Sequence, residues 1–177
     1  GYNNIPAKSI SLPSIVDKKI DPIEENIKSF LIQNGFFQVI NNPFCNDGND
    51  DSIKVDNPLD SNRKFLRTNT IDSLVSNVIY NEKRQKDSIK LFEISDIYSS
   101  RHITVDKRLA IAVSGRQGHN FKDFNKPLDK KYLFNLFNEV NLDVEKDIID
   151  ISKDGLDSKS KTKIFAIELS IKDLNNY

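Results

Sequence analysis

The sequence contains no methionine at any of its 177 positions and opens on Gly1-Tyr2-Asn3-Asn4, so it is expected to be a piece of a longer chain. A single cysteine, Cys45, excludes an internal disulfide and fits a reducing cytosol. Reactive thiols need a cationic setting, and Cys45 is read as an ordinary free thiol in a loop. No run approaches the roughly 20 apolar residues of a membrane helix. The N-terminus lacks the basic-then-apolar pattern of a secretory signal, and the expectation is a soluble, cytoplasmic protein. Net charge is missing too: 26 Lys and Arg balance 26 Asp and Glu. A chain with no excess charge has no long-range pull toward polyanions, which disfavours a free-standing nucleic-acid binder.

Histidine is nearly absent. His102 and His119 sit in polar segments without a partner at metal-ligand spacing, so both read as surface residues. Gly115-Arg116-Gln117-Gly118 has neither the three-glycine dinucleotide fingerprint nor a Walker lysine, and is read as a turn. Asn46–Asp51 lacks the ligand spacing and closing glutamate of a calcium loop. The lysine tract Lys153–Lys163 is broken by Asp154 and Asp157 and interleaves no aromatic residue, which makes it a solvated loop rather than a phosphate-binding patch. With no nucleophile motif either, the chain offers no autonomous active site.

What is present is a single pattern of helices and strands. With 37% hydrophobic residues the chain can bury one core, since a domain of this size removes roughly two-thirds of its unfolded surface from water. Residues 1–20, with Pro6 and Pro13, read as an extended linker, and residues 21–177 as one module. Asp21-Pro22-Ile23-Glu24 is a helix-start signal and Gly35 a stop, predicting a helix over 22–34. Ile23, Ile27, Phe30 and Leu31 share its buried stripe, while Ile32 points the other way and marks a second contact surface. Strands are predicted at Phe36–Ile40, ended by Asn41-Asn42-Pro43, and at Ser52–Val55. A second helix follows an N-capping Thr70 and runs to about Asn81. Strands at Lys90–Tyr98 and Arg108–Ser114, a helix at 129–140 and a strand at Lys163–Ile171 complete the pattern, with Leu109–Val113 buried on both faces. Glu93 and Asp96 lie on or near a buried strand, where a carboxylate needs a paired charge. Arg67 is the candidate partner, and Arg67 with Glu93 is read as a structural ion pair.

Six blocks, in order, resemble the beta subunit of bacterial-type phenylalanyl-tRNA synthetase. They are Gly1-Tyr2-Asn3-Asn4-Ile5-Pro6, Gly35-Phe36-Phe37-Gln38-Val39, Asn57-Pro58-Leu59, Leu66-Arg67-Thr68-Asn69, Leu91-Phe92-Glu93-Ile94-Ser95 and Phe165-Ala166-Ile167-Glu168-Leu169. The resemblance implies an α+β fold of the class II aminoacyl-tRNA synthetase type, an antiparallel sheet flanked by helices that lacks catalysis of its own. In the family the alpha subunits activate phenylalanine with ATP and magnesium, and the beta core braces them in a two-alpha, two-beta assembly that charges tRNA. A catalytic class II strand carries an arginine two residues before its glutamate to hold ATP phosphate. Here that position is Leu91, and no Gly-x-Gly-x-Gly ending in arginine occurs. The family's acidic magnesium stretch would lie upstream of Gly1, its C-terminal anticodon-binding-like domain has no counterpart, and Asn141–Lys163 is shorter than the family's usual insert. The helix at 22–34 resembles the one class II synthetases use between subunits, which implies Glu25, Lys28 and Ile32 as interface residues. The alternative reading is a small autonomous RNA- or protein-binding adaptor.

Overall fold

The computed structural model describes residues 22–60, 62–101, 104–118, 120–154 and 162–174. Helix α1 (Pro22–Gln33) carries Glu24 and Glu25 in its first turn, where negative charge suits the helix dipole. It stops as the sequence predicts. Gly35 adopts φ 78°, its N–H donates to Ile32 O at 3.0 Å, and Phe36 N–H donates to Leu31 O at 3.0 Å. This is a Schellman motif, and its two hydrophobic ends, Leu31 and Phe36, are buried in one cluster.

With Phe36 drawn into the core, the strand predicted over Phe36–Ile40 shrinks to β1 (Phe37–Gln38), which pairs parallel with a later strand. The next stretch departs from expectation. Phe44–Cys45 (β2) and Phe65–Leu66 (β3) form a small antiparallel ribbon, placing Cys45 in a strand rather than a loop. Ser52–Val55 forms no regular strand. It runs beside β3, on the edge that β2 leaves free, with one bridge, Lys54 to Phe65, and the bonds Val55 N–H to Lys64 O and Leu66 N–H to Ile53 O.

Helix α2 (Ile71–Glu82) leads into a long hairpin of β4 (Ser88–Ser99) and β5 (Thr104–Gly115), twelve residues each and longer at both ends than the periodicity indicates. Gly115 closes it at φ 92°, where a Cβ would lie 2.0 Å from Asp87 O, so the position requires glycine. Helix α3 (Lys130–Asn138) is capped by Asp129, whose carboxylate accepts from Tyr132 N–H at 2.8 Å. Two short elements escape the sequence pattern, strand β6 (Ile149–Ile151) and helix α4 (Ile171–Leu174). The latter follows directly on β7 (Ile164–Ser170).

The strands form one sheet in the order β1-β4-β5-β7-β6, antiparallel except at the β1–β4 edge. Alternation along β5 divides the core. Leu109, Ile111 and Val113 meet α1, α3 and α4, where Phe30 and Phe137 pack tilted with ring centroids 6.3 Å apart. Ala110 and Ala112, with Ala166 of β7, face Leu74, Val75 and Val78 of α2, and these small residues let the helix lie close. Each fully buried aliphatic side chain contributes roughly 1.5–3 kcal/mol. The expected α+β architecture, a mainly antiparallel sheet flanked by helices, is what the chain adopts.

Candidate functional site

Across the middle of the sheet, register sets Glu93 of β4 opposite Ala110 of β5, and Ala110 opposite Glu168 of β7. Ala110 belongs to the α2 side of the core, so both carboxylates project there as well. A buried carboxylate is costly unless charge and hydrogen bonds surround it. Glu93, only 1% exposed, has both. Arg67 Nη1 donates to its Oε1 at 2.9 Å, Asn41 N–H donates to the same oxygen at 3.3 Å, and Asn41 Nδ2 donates to Oε2 at 2.7 Å. Asn77 Nδ2 of α2 donates to Asn41 Oδ1 at 2.8 Å, so the network runs from helix to sheet. Arg67 spends its Nε on the backbone carbonyl of Asp96 at 3.2 Å, not on the Asp96 carboxylate. The two residues read as an ion pair are therefore in direct contact, held by the turn that begins at Asn41.

Glu168 is satisfied differently. Thr70 donates its backbone N–H to Oε1 at 2.6 Å and its hydroxyl to the same oxygen. Thr70 stands at the N-cap position, but its backbone is already helical (φ -103°, ψ -15°) and its side chain accepts no cap hydrogen bond, which corrects the reading of its side chain as the cap. Asn69 does that work, its Oδ1 accepting from Asp72 N–H at 3.0 Å while its Nδ2 donates to Asp72 Oδ2 at 2.9 Å. Asn41, Asn77 and Glu168 lie outside the pair expected from the sequence. A glutamate inside the apolar run Phe165–Leu169 was the available signal, by the same logic that picked out Glu93.

Leu91, two residues before Glu93, is 7% exposed and packs in the cluster formed with Leu74, Val75 and Val78. Helix α2 therefore lies over the stretch of sheet where the resemblance locates a phosphate-holding arginine in catalytic relatives. Beyond its N-terminus the same face opens into a cleft of about 510 Å³ lined by Thr68, Ile97, Asp106, Arg108 and Ser170. Arg108 Nε stands 2.8 Å from Asp106 Oδ2, and Ser170 Oγ donates to Asp106 Oδ1 at 3.2 Å, so charges in the cleft are partly paired with each other.

On the outer side of α1, Lys28 Nζ bridges Glu24 at 2.9 Å and Glu25 at 3.1 Å. Ile32 is 57% exposed while Leu31 beside it is fully buried. The adjoining edge strand β1 presents Phe37, 72% exposed. An edge strand with exposed aromatic and aliphatic side chains is a surface that natural proteins cover. Cys45 is half-buried, with Sγ 3.3 Å from Asp47 O. Burial, and then the charges of Asp47 and Asp72, push its thiol above the ordinary value, so it stays protonated and unreactive at neutral pH.

A family model described as "Phenylalanyl tRNA synthetase beta chain CLM domain" matches residues 5–152. The chain belongs to this family. Curated relatives agree: the phenylalanine–tRNA ligase beta subunit of Aquifex aeolicus is 25% identical over 135 residues, covering 70% of this chain and 16% of that protein. The Buchnera aphidicola beta subunit is 28% identical over 134 residues, 64% of this chain and 16% of its own length. That of Lactobacillus acidophilus is 32% identical over 103 residues, 54% of this chain and 13% of its own length. The chain thus spans about a sixth or less of the relatives it matches. Among solved structures, a pyrrolysyl tRNA synthetase from Desulfitobacterium hafniense superposes with a TM-score of 0.60 over 86% of this chain and 64% of that one. At 14% identity this likeness shows the fold alone, which is that of a class II synthetase module.

Of the family-like blocks, Gly35–Val39 forms the α1 stop and β1, Leu66–Asn69 joins β3 to the cap of α2, and Leu91–Ser95 and Phe165–Leu169 are the cores of β4 and β7. Asn57-Pro58-Leu59 is exposed loop. The Gly1–Pro6 block, the 1–20 linker, Asp21, His102, His119 and most of the Lys153–Lys163 tract lie outside the described residues.

Proposed function

We propose that residues 21–177 are the class II-like core module of a phenylalanyl-tRNA synthetase beta subunit, entered by a linker over residues 1–20, and that this module scaffolds rather than catalyses. In this reading the alpha subunits bind ATP, magnesium and phenylalanine, two beta subunits brace them in the cytoplasm, and the assembly charges tRNA. The observation that carries it is the covered sheet face. Leu91 is buried beneath α2 amid Leu74, Val75 and Val78, and an adenylate bound there would have to displace the helix. Displacement would also break the Thr70–Glu168 and Asn77–Asn41 bonds that hold α2 to the sheet. The exposed Ile32 and Phe37 on α1 and β1 support the scaffold role, since they offer an apolar centre with Glu25 and Lys28 at its rim for a partner subunit.

Phenylalanine-dependent exchange of pyrophosphate into ATP tests the reading. The purified 177-residue chain should show none, while the complete beta subunit assembled with its alpha partner should show exchange that survives Glu93→Gln. Exchange by the isolated chain overturns the scaffold assignment.

A further inference from the structure

The lysines of Lys153–Lys163 are interleaved by no aromatic residue, which argues against a nucleic-acid patch there. A second tract, Phe121–Tyr132, has that interleaving: Phe121, Lys122, Phe124, Lys126, Lys130, Lys131 and Tyr132. The structure gathers it at one end of the molecule, on the loop after β5 and the first turn of α3. Phe121 is 98% exposed at the loop tip. The loop beneath it is firmly tied. Asp123 and Phe124 N–H both donate to Asn120 O, Asn120 Oδ1 accepts from Asp123 N–H at 2.9 Å, and Lys126 Nζ meets Asp123 Oδ1 at 2.9 Å. On that helical turn Phe121 and Phe124 are three residues apart and lie toward one side. Phe124 is stacked by the Arg116 guanidinium, 4.0 Å from its ring centre.

The charges are arranged for an anion. Both acids of the tract are engaged internally, Asp123 by Lys126 and Asn120, and Asp129 by the N–H of Tyr132. Lys130 and Lys131 occupy the first turn of α3, which has no acidic residue, and there their charge opposes the helix dipole. They form no ion pair among the described residues, and both are exposed. Between loop and helix runs a cleft of about 380 Å³ lined by Lys126, Lys131 and Asn135 and also by Asp129 and Glu139, while the Asn34 and Gln117 amides on its wall already donate to Phe30 O and Pro127 O. An exposed ring beside Lys130 and Lys131, which no acid among the described residues pairs, fits unpaired nucleotides, with a base on Phe121 and phosphates on the lysines. Zero net charge removes long-range steering, so the contact is local and forms part of a larger interface.

We propose that Phe121, Lys122, Lys130 and Lys131 form a contact surface for single-stranded RNA. Within the synthetase reading above, on which the identity of the RNA rests, the strand belongs to the bound tRNA. The test uses the complete beta subunit assembled with its alpha partner, titrated with fluorescently labelled phenylalanine tRNA. Phe121→Ala should weaken binding about tenfold and Phe121→Trp should restore it, as stacking requires. Lys130→Gln with Lys131→Gln should weaken binding and flatten the dependence of log affinity on log salt by about 1.4, for two single-strand phosphates at ~0.7 each. If the parent assembly binds tRNA and these variants match it, the surface is wrong. If the variants instead impair assembly, the patch is a protein interface and the proposal falls. If the parent assembly binds no tRNA, the charging role fails on its own. The surface is then judged with a short single-stranded RNA, whose unchanged binding to the variants overturns it and whose loss upholds it.

Discussion

Thr70 gives both its backbone N–H and its hydroxyl to a single oxygen of Glu168, 98 residues further along the chain. The bond joins the first turn of α2 to β7, on the side of the sheet that α2 covers. A carboxylate suits that position twice over, as acceptor for an orphan N–H at a helix start and as a negative charge at the positive end of the dipole. The same contact fixes where α2 ends along the sheet, and so where the covered face gives way to the open cleft around Arg108.

Removing one half of this contact should therefore cost more than an ordinary surface change. Thr70→Val keeps shape but leaves Glu168 short of one donor, and Glu168→Ala leaves the N–H of Thr70 without its acceptor. Each should destabilise the fold by about 2 kcal/mol, the range for hydrogen bonds to charged groups, and Thr70→Ser by less than half of that. Urea unfolding midpoints measure it. A Thr70→Val variant that unfolds with its parent would show the bond to be energetically idle.

Arg67 and Glu93 make a steeper case because both are buried. Arg67→Ala strands a carboxylate that retains only Asn41, and should cost about 3–5 kcal/mol. Glu93→Gln keeps an acceptor for Arg67 and Asn41 and should cost less. In a double-mutant cycle the pair should couple by at least about 1 kcal/mol. Simple additivity would mean that Arg67 is held by the Asp96 carbonyl alone.

The sequence shows this pair and not the Thr70 contact for a physical reason. Glu93 is flanked by Leu91, Phe92 and Ile94 in the most buried part of β4, so its need for a partner is visible locally. Thr70 precedes an apolar helical run, and a threonine there looks like a cap whatever lies across the sheet. Only the tertiary neighbour Glu168 shows where its hydroxyl donates, while Asn69 supplies the acceptor that caps the helix. The long elements were legible for a similar reason: α1, α2, α3 and the β4–β5 hairpin repeat their period often enough to be read. Two-residue ladders such as β2 with β3 and the short strand β6 have too few residues to show alternation, and their pairing is decided by distant segments. On the α1 surface, Ile32 could be seen to oppose the buried stripe, but Phe37 could not be placed outward until the strand proved parallel and marginal.

Tyr132 provides a test by pH. Burial, with a smaller contribution from the Glu139 charge, pushes its phenol up to about 12 from 10. A native value above the unfolded one means that the unfolded ensemble releases its proton first. The associated stability is then fully present below pH 10 and is lost as pH rises toward 12. Tyr132→Phe should remove that part of the alkaline loss. Lys28 and Lys107, raised by their bonds to Glu24, add an alkaline loss of the same sign in both proteins, so the difference between parent and variant isolates Tyr132. Unfolding midpoints that fall in parallel across this range would place the phenol in contact with water.

The last expectation concerns the outer face of α1. Leu31 is buried and anchors the helix to its sheet, while Ile32 projects 57% exposed between the Lys28 ion pairs and the edge strand carrying Phe37. A residue so placed adds little to the fold of this module, and a charge there in isolation is merely solvated. At the centre of a subunit interface the same charge would be buried without a partner, and central interface positions tolerate that poorly. Ile32→Asp should therefore leave the unfolding midpoint of the 177-residue chain within about 0.5 kcal/mol of the parent, as surface changes do. Placed in the complete beta subunit and coexpressed with alpha, it should weaken assembly by at least about 2 kcal/mol, roughly thirtyfold in dissociation constant. Native mass spectrometry against concentration reads the tetramer fraction. A tetramer as stable as the parent's would remove Ile32 from the interface, and a beta module that no longer folds would place it in the core. Loss of assembly with an intact module is the one result consistent with α1 and β1 forming the brace.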